Sequence, residues 1–163
     1  MNTYVLDMYR QMFASLRRGN VRGAYSNAKP IFLLSIIDYI IYLECPNHFV
    51  WGDKNFESIY ISNFKRYDSS VPTPFWKPFY YMSSEPFYDL IWQEPPNEKL
   101  LKRPSGKLLK EQLSFAKLDD ELWDLLQVPE NREYLRHCII NQYLSYKKNG
   151  SVTNCMGKCR LIH

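Results

Sequence analysis

Three side chains near the end of the sequence are of the types that bind metal ions. Cys155, Cys159 and His163 follow a C-x3-C-x3-H spacing, and thiolate and imidazole groups are common zinc ligands. Cys45 or Cys138 could complete a set of four. The spacing is not a common zinc-finger pattern, however, and chain ends are the segments least often ordered. We therefore expect an unstructured tail rather than a zinc site, and no cofactor.

Motifs for catalysis are missing from the sequence. Metal-dependent DNA cleavage usually needs paired carboxylates with a lysine, or clustered histidines. No Asp or Glu is followed two positions later by Lys, and the three histidines, His48, His137 and His163, lie far apart in the sequence. The motifs G-x-x-x-x-G-K-[ST], G-x-G-x-x-G and G-x-S-x-G are also absent. The sequence therefore predicts a binding protein and not an enzyme.

Basic and acidic side chains are separated along the chain. Residues 1–29 contain five basic residues against Asp7, residues 147–163 contain four against no acid, and acids gather between residues 119 and 133. With a net charge of +4, this distribution is compatible with a polyanionic partner such as DNA. Charge alone slightly favours an ordinary solvated surface. For a DNA partner, the predicted phosphate contacts are Arg17, Arg18 and Arg22.

No segment predicts a membrane span or an export signal. The longest apolar run, residues 31–43, is interrupted by Asp38 and is shorter than the ~20 residues that a membrane-spanning helix needs. The N-terminal sequence MNTYVLDMYR has no basic leader followed by an apolar run. We therefore expect a cytoplasmic protein without membrane association, whose cysteines are thiols.

Hydrophobic periodicity predicts a mainly helical α+β fold in a single domain. Helical patterns cover residues 3–18, 30–43, a segment capped by Asp53, residues 108–115, 119–126 and 129–146. Residues 19–28 predict a loop. A small antiparallel β hairpin is predicted around residues 79–92, because rings and aliphatic side chains occur there at both odd-numbered and even-numbered positions. We assign residues 1–146 to the domain and residues 147–163 to a basic tail with no nuclease module.

Three sequence blocks occur in an order found in one group of proteins. They are AYSNAKPIFLLSIIDYI, KPFYYMSSEPFYDL and FAKLDDELWDLLQVPENREYLRHCIINQYL. Together they resemble the sulfur-binding domain of HNH-type, type IV restriction endonucleases, which recognises phosphorothioate-modified DNA. The resemblance covers roughly residues 15–146 and implies binding of double-stranded DNA. The family often has histidine where this chain has Ala28, and its nuclease module normally follows the domain. Because only residues 147–163 follow here, the resemblance implies recognition without cleavage, with a nuclease supplied by a separate chain.

The resemblance also implies where a sulfur pocket lies. In the family it is built around the proline of a Pro-Phe block, the residue before it and the residue three positions later. The loop before the aliphatic helix faces it from the other side. The corresponding residues in this sequence are Lys77, Pro78 and Tyr81 in the block, and Tyr25, Asn27 and Lys29 near the loop.

These residue types suit a phosphorothioate, which keeps the negative charge of a phosphodiester but carries sulfur in place of one oxygen. Sulfur is larger, more polarisable and a poorer hydrogen-bond acceptor, so it tolerates an apolar wall that would leave an oxygen unsatisfied. A rigid proline ring beside aromatic carbon forms such a wall. Basic side chains around it would hold the DNA backbone with an affinity that falls as salt rises. Phe79, Met82, Phe87 and Leu90 are expected in the core.

Two other functions are also compatible with the sequence. An aromatic patch could dock a partner nuclease or helicase, which would make the chain a protein-interaction subunit of a restriction or defence complex. Alternatively, the rings could form a pocket for a methylated base, since base pockets also use aromatic side chains.

Overall fold

The computed structural model of the chain describes residues 3–21 and 23–144. Within these residues, short strands accompany a mainly helical fold, which confirms the predicted α+β class. The helices are α1 (Thr3–Phe13), α2 (Ala28–Tyr39), α3 (Lys54–Tyr67), α4 (Trp76–Tyr81), α5 (Glu98–Lys102), α6 (Gly106–Gln112), α7 (Asp120–Leu125) and α8 (Pro129–Tyr143). The strands form two antiparallel pairs, β1 (Asn20–Val21) with β2 (Ala24–Tyr25) and β3 (Tyr88–Trp92) with β4 (Leu113–Leu118).

Helix α2 lies at the centre of the domain, because almost every side of it is apolar and buried. Pro30 occupies its first turn, where a backbone N–H has no partner within the helix. The helix packs against α3, α4 and α8. Phe32 contacts a cluster of rings at centroid distances of 5.5–6.4 Å, namely Phe56, Tyr60, Phe75, Phe79 and Tyr88. In the described part of the chain, no helix combines the length and apolarity needed to cross a membrane.

The predicted cap of α3 is confirmed. Asp53 has extended backbone dihedrals, and its carboxylate accepts hydrogen bonds from the backbone N–H of Asn55 at 2.9 Å and of Phe56 at 3.2 Å. These two donors belong to the first turn of the helix, where no carbonyl precedes them. The cap therefore fixes the point at which α3 begins, and with it the position of Phe56 in the core.

The antiparallel sheet exists, but the predicted hairpin within residues 79–92 is wrong. Residues 88–92 form β3, whereas the preceding residues form α4 and a 3-10 turn, Met82–Ser84. Phe75, Phe79 and Met82 are buried at a spacing of four and then three residues, which is helical. Pro78 does not interrupt α4, because it lies in the first turn, where a missing N–H costs little. Phe79, Met82 and Phe87 are buried, as predicted. Leu90 is only partly buried and packs against the core from β3.

The true partner of β3 is β4, which follows α6. Residues 113–115 were predicted to continue a helix, but α6 ends at Gln112 and Leu113 begins the strand. Tyr88 pairs with Leu118 at one end, and an irregularity lies between Ile91 and Trp92 near the other. Leu113, Ala116 and Leu118 are buried. A long-range pairing of this kind leaves no signal in the local spacing of apolar residues.

The segment predicted as a loop before α2 contains a small β ribbon. Asn20 pairs with Tyr25 across a tight turn. Gly23 adopts a φ of +81°, which side chains other than glycine rarely adopt, and its N–H donates to Asn20 Oδ1 at 3.0 Å. The ribbon holds Tyr25 beside the start of α2.

Candidate functional site

A cavity of about 480 Å³ opens beside the start of α2 and one face of α4. We call it the Pro78 cavity. Two aspects of its lining stand out: an apolar wall that contains Pro78 and Tyr81, and four basic side chains from three segments, Arg17, Arg18, Lys29 and Lys77. The described fold thus brings six of the nine predicted DNA-contacting residues to one place.

Helix α4 supplies the apolar wall because one of its faces packs in the core and another lines the Pro78 cavity. Phe79 points into the core and is fully buried. Pro78 and Tyr81, three residues apart and therefore on the same side of the helix, line the cavity. Pro78 is buried, whereas the side chain of Tyr81 is 47% exposed. The proline thus belongs to the inner wall, and the tyrosine lies nearer the solvent. Lys77 is exposed, with Nζ 5.9 Å from the ring centroid of Trp76.

Lys29 lies at the inner end of the cavity in a nearly buried ion pair. Its Nζ is 2.9 Å from Glu85 Oε2, and the two side chains are 11% and 4% exposed. Lys29 Nζ also donates to Ser84 Oγ at 2.6 Å, and the backbone N–H of Arg17 donates to the same Glu85 oxygen at 2.9 Å. One carboxylate therefore joins the segment after α1, helix α2 and the turn after α4.

Arg18 is held between two aromatic rings. Its guanidinium carbon lies 4.9 Å from the ring centroid of Tyr25 and 4.8 Å from that of Tyr143. Burial raises the pKa of Tyr143, so that ring stays neutral and presents its face to the cation. Arg18 Nη1 also donates to Asn27 Oδ1 at 3.2 Å, and Asn27 Nδ2 donates to Asp68 Oδ2 at 3.0 Å. These contacts preorganise the guanidinium at the cavity wall.

A second cavity, of about 620 Å³, adjoins the first. We call it the Tyr25 cavity. The two share Ser26 and Thr73 in their linings. The second is lined by Tyr25, Asn27 and Asp68 among others, and no Lys or Arg is among its lining residues in the described part of the chain. Tyr25 and Asn27 therefore contribute to a neighbouring compartment and not to the wall that faces Pro78.

The remaining predicted site residues have no described position. Arg22 lies between the two described ranges, and Cys155, Cys159 and His163 lie beyond the second. Among residues 3–21 and 23–144, no group of three or more His, Cys, Asp or Glu side chains is arranged to hold a metal ion.

Two carboxylates were missed from the sequence. Glu85 pairs with Lys29, and Asp68 holds the amide of Asn27. A signal existed for Glu85, because it is one of only two acids in the ring-rich block KPFYYMSSEPFYDL, and a carboxylate buried among rings needs a partner. Asp68 had no comparable signal, since an acid after a helix in a serine-rich segment is ordinary.

Comparison with known proteins identifies the fold. No family model and no curated protein matches the sequence. Among solved structures, the chain is similar to the type IV phosphorothioation-dependent restriction endonuclease ScoMcrA, with a TM-score of 0.64 over 91% of this chain and 16% sequence identity. The match covers 32% of that enzyme's chain. The protein thus has the fold of one part of a restriction endonuclease.

Proposed function

We propose that this chain is a DNA-binding module that recognises phosphorothioate linkages, with the sulfur placed against Pro78 in the Pro78 cavity. The observation that carries the proposal is the combination of a buried proline ring and Tyr81 with basic side chains around one opening. The similarity to ScoMcrA supports it, because that enzyme is described as phosphorothioation-dependent and shares the fold. On this proposal the chain has no catalysis of its own, and a nuclease acts from a separate chain.

The charge around the cavity suits a DNA backbone. Arg17 and Arg18, from the segment after α1, and Lys77, from α4, line the cavity, so they can contact a central phosphate and its neighbours. The charge of Lys29 is balanced by Glu85, so that lysine adds little net attraction. Basic contacts of this kind bind every phosphate alike and give affinity that falls with salt.

Selection of sulfur requires a contribution to the binding free energy that differs between sulfur and oxygen, and the inner wall of the cavity supplies one. A phosphate oxygen turned towards the ring of Pro78 meets carbon atoms, which cannot donate a hydrogen bond. An acceptor buried without a donor costs about 1–3 kcal/mol. Sulfur accepts hydrogen bonds weakly and loses much less there. The wall is therefore expected to favour the thioated linkage by roughly tenfold or more, since 1.4 kcal/mol corresponds to a factor of ten.

The test is a comparison of two duplexes that differ at one linkage, with and without sulfur, at a fixed salt concentration. The unaltered chain should prefer the thioated duplex. Pro78→Ala should lower this preference, because it removes most of the apolar ring and leaves a larger and less rigid space. Pro95→Ala is the matched control, since Pro95 is exposed and lines neither cavity.

The other two functions predict different outcomes in the same experiment. A protein-interaction subunit would bind both duplexes weakly and without steep salt dependence. A reader of methylated bases would ignore the sulfur and respond to a methylated probe. Equal affinity for the two duplexes would rule out the proposal.

A further inference from the structure

We propose that the hydroxyl of Ser84 holds the non-bridging oxygen that a phosphorothioate retains, while the sulfur faces Pro78. This inference rests on the proposed function and deepens it, because the Pro78 cavity then selects a linkage with one sulfur and one oxygen. A phosphorodithioate, in which sulfur replaces both non-bridging oxygens, has the same negative charge but should bind less tightly.

Ser84 lies on the same face as the apolar wall. Pro78, Tyr81 and Ser84 follow one another at intervals of three residues, and all three line the Pro78 cavity. Ser84 ends the 3-10 turn Met82–Ser84, which directly continues α4, and residues three apart in a 3-10 helix lie above one another. This face therefore changes along its length from a proline ring to a phenol ring and then to a hydroxyl.

The hydroxyl of Ser84 is available as a hydrogen-bond donor. Lys29 Nζ lies 2.6 Å from Ser84 Oγ, and because an ammonium group can only donate, the serine oxygen is the acceptor. The hydroxyl hydrogen remains, and no side chain or carbonyl of the described residues accepts it. Ser84 is exposed, so water takes this hydrogen in the free protein. A phosphate oxygen that enters the cavity can replace that water.

Lys29 makes this hydroxyl a stronger donor. Hydrogen bonds in a chain polarise one another, and Ser84 accepts from a cation. Glu85 balances the charge of Lys29, but the bond from Lys29 to Ser84 is present at the same time. Ser26 also lines the cavity, but its Oγ accepts from the neutral backbone N–H of Ala28 at 3.1 Å. Lys29 therefore acts through Ser84 as a positioning residue.

The two ends of this face have opposite preferences. A hydroxyl donates more strongly to an anionic oxygen than to a neutral one. A sulfur at Ser84 would cover the hydroxyl without offering a good acceptor, and a covered donor without a partner is unfavourable. The ring of Pro78 favours sulfur for the converse reason. A phosphodiester therefore satisfies only Ser84 and a phosphorodithioate only Pro78, whereas one diastereomer of a phosphorothioate satisfies both.

The experiment compares three duplexes that differ at a single linkage, at one salt concentration. The linkage is a phosphodiester, the tighter-binding phosphorothioate diastereomer or a phosphorodithioate. The unaltered chain should bind the phosphorothioate about tenfold more tightly than the phosphorodithioate, which is the order of effect that a hydrogen bond to a charged group gives. All three duplexes carry the same charge, so the basic side chains contribute equally.

Variants of the turn after α4 assign this difference to the hydroxyl. Ser84→Ala should weaken binding of the phosphorothioate about tenfold and leave the phosphorodithioate almost unchanged, so that the difference disappears. Ser84→Thr keeps a hydroxyl and should retain the difference. Ser83→Ala is the matched control, because Ser83 is exposed in the same turn, lines neither cavity and donates to the carbonyl of Tyr80 at 2.8 Å. Thermal unfolding confirms that each variant is folded.

The outcomes separate this inference from the sulfur proposal. If the unaltered chain prefers the phosphorothioate to the phosphodiester but binds the phosphorodithioate equally well, the role of Ser84 is overturned and the sulfur proposal stands. An equal loss of affinity for all three duplexes in Ser84→Ala would also overturn it, because the serine would then only hold Lys29. If the unaltered chain shows no preference for the phosphorothioate, the sulfur proposal fails. The role of Ser84 is then supported by a preference for the phosphodiester over the phosphorodithioate that Ser84→Ala removes, and overturned without one.

Discussion

Glu85→Gln should both weaken the fold and strengthen non-specific DNA binding. In the structure, Glu85 Oε2 accepts from Lys29 Nζ and from the backbone N–H of Arg17, each at 2.9 Å, with the carboxylate only 4% exposed. A glutamine keeps the shape and an oxygen acceptor but loses the negative charge. The change therefore separates the charge of Glu85 from its packing.

The loss of stability follows from these two hydrogen bonds. A bond to a charged group contributes about 1.5–3 kcal/mol and a neutral one about 0.5–1.5 kcal/mol. Neutralising the carboxylate should therefore lower the free energy of unfolding by about 2 kcal/mol. For a domain of this size, each kcal/mol lowers Tm by about 2–4 °C, so Tm should fall by roughly 4–8 °C. Glu85→Ala should cost more, about 3–5 kcal/mol, because it removes the oxygen acceptor as well as the charge and leaves both Lys29 Nζ and the N–H of Arg17 without this partner.

The effect on DNA binding has the opposite sign. Without the carboxylate, Lys29 brings an uncompensated positive charge to the Pro78 cavity. The logarithm of the binding constant should then depend more steeply on the logarithm of salt concentration, by about 0.9 for one additional phosphate contact. Binding titrations of an unmodified duplex between 50 and 200 mM salt, roughly the range over which such slopes are measured, provide the assay. A folded Glu85→Gln variant with an unchanged salt dependence would refute the placement of Lys29 at the DNA interface.

Two further predictions concern charge and pH. Lys77→Ala should reduce the slope of the logarithm of the binding constant against the logarithm of salt concentration by about 0.9 without changing Tm. Lys54→Ala is the control and should leave the slope unchanged, because Lys54 is exposed and lines neither cavity. Equal effects of the two substitutions would contradict the assignment of Lys77 to a DNA contact. Burial raises the pKa of Tyr60, so the folded state keeps the proton at a pH at which the unfolded chain, with a pKa of about 10, releases it. Stability should be independent of this group below about pH 10 and fall above it. Urea unfolding at several alkaline pH values should show that the free energy of unfolding falls less with pH in Tyr60→Phe than in the unaltered chain. An identical fall in the two proteins would contradict the prediction.

The fold was predictable where the local pattern determines the structure. The run of apolar residues in α2 and the acid before α3 both have local causes, since a helix apolar on all sides must be buried and an N-terminal turn needs a capping acceptor. The strand pairing was not predictable, because Tyr88 and Leu118 are brought together by the packing of the whole chain. Residues 79–82 were assigned to a strand because the rings at positions 79, 80 and 81 obscured the helical spacing of Phe75, Phe79 and Met82.

The candidate site, like the fold, was only partly predictable from the sequence. The types and positions of Lys77, Pro78 and Tyr81 could be identified from the sequence, because they lie close together in one block. The division into two cavities could not, since it depends on how segments far apart in the sequence pack together, as Asn27 and Asp68 do. Glu85 also changes the role of Lys29 from a free cation to one half of an ion pair.

Separate binding measurements on the two diastereomers of a single phosphorothioate test the central claim most directly. The phosphorus is chiral, and one apolar wall can face only one of its two non-bridging positions. We predict that one diastereomer binds at least about tenfold more tightly than the unmodified duplex, that the other binds no more tightly than the unmodified duplex does, and that Pro78→Ala reduces this difference. Equal affinity for both diastereomers and the unmodified duplex would contradict the claim that Pro78 selects sulfur.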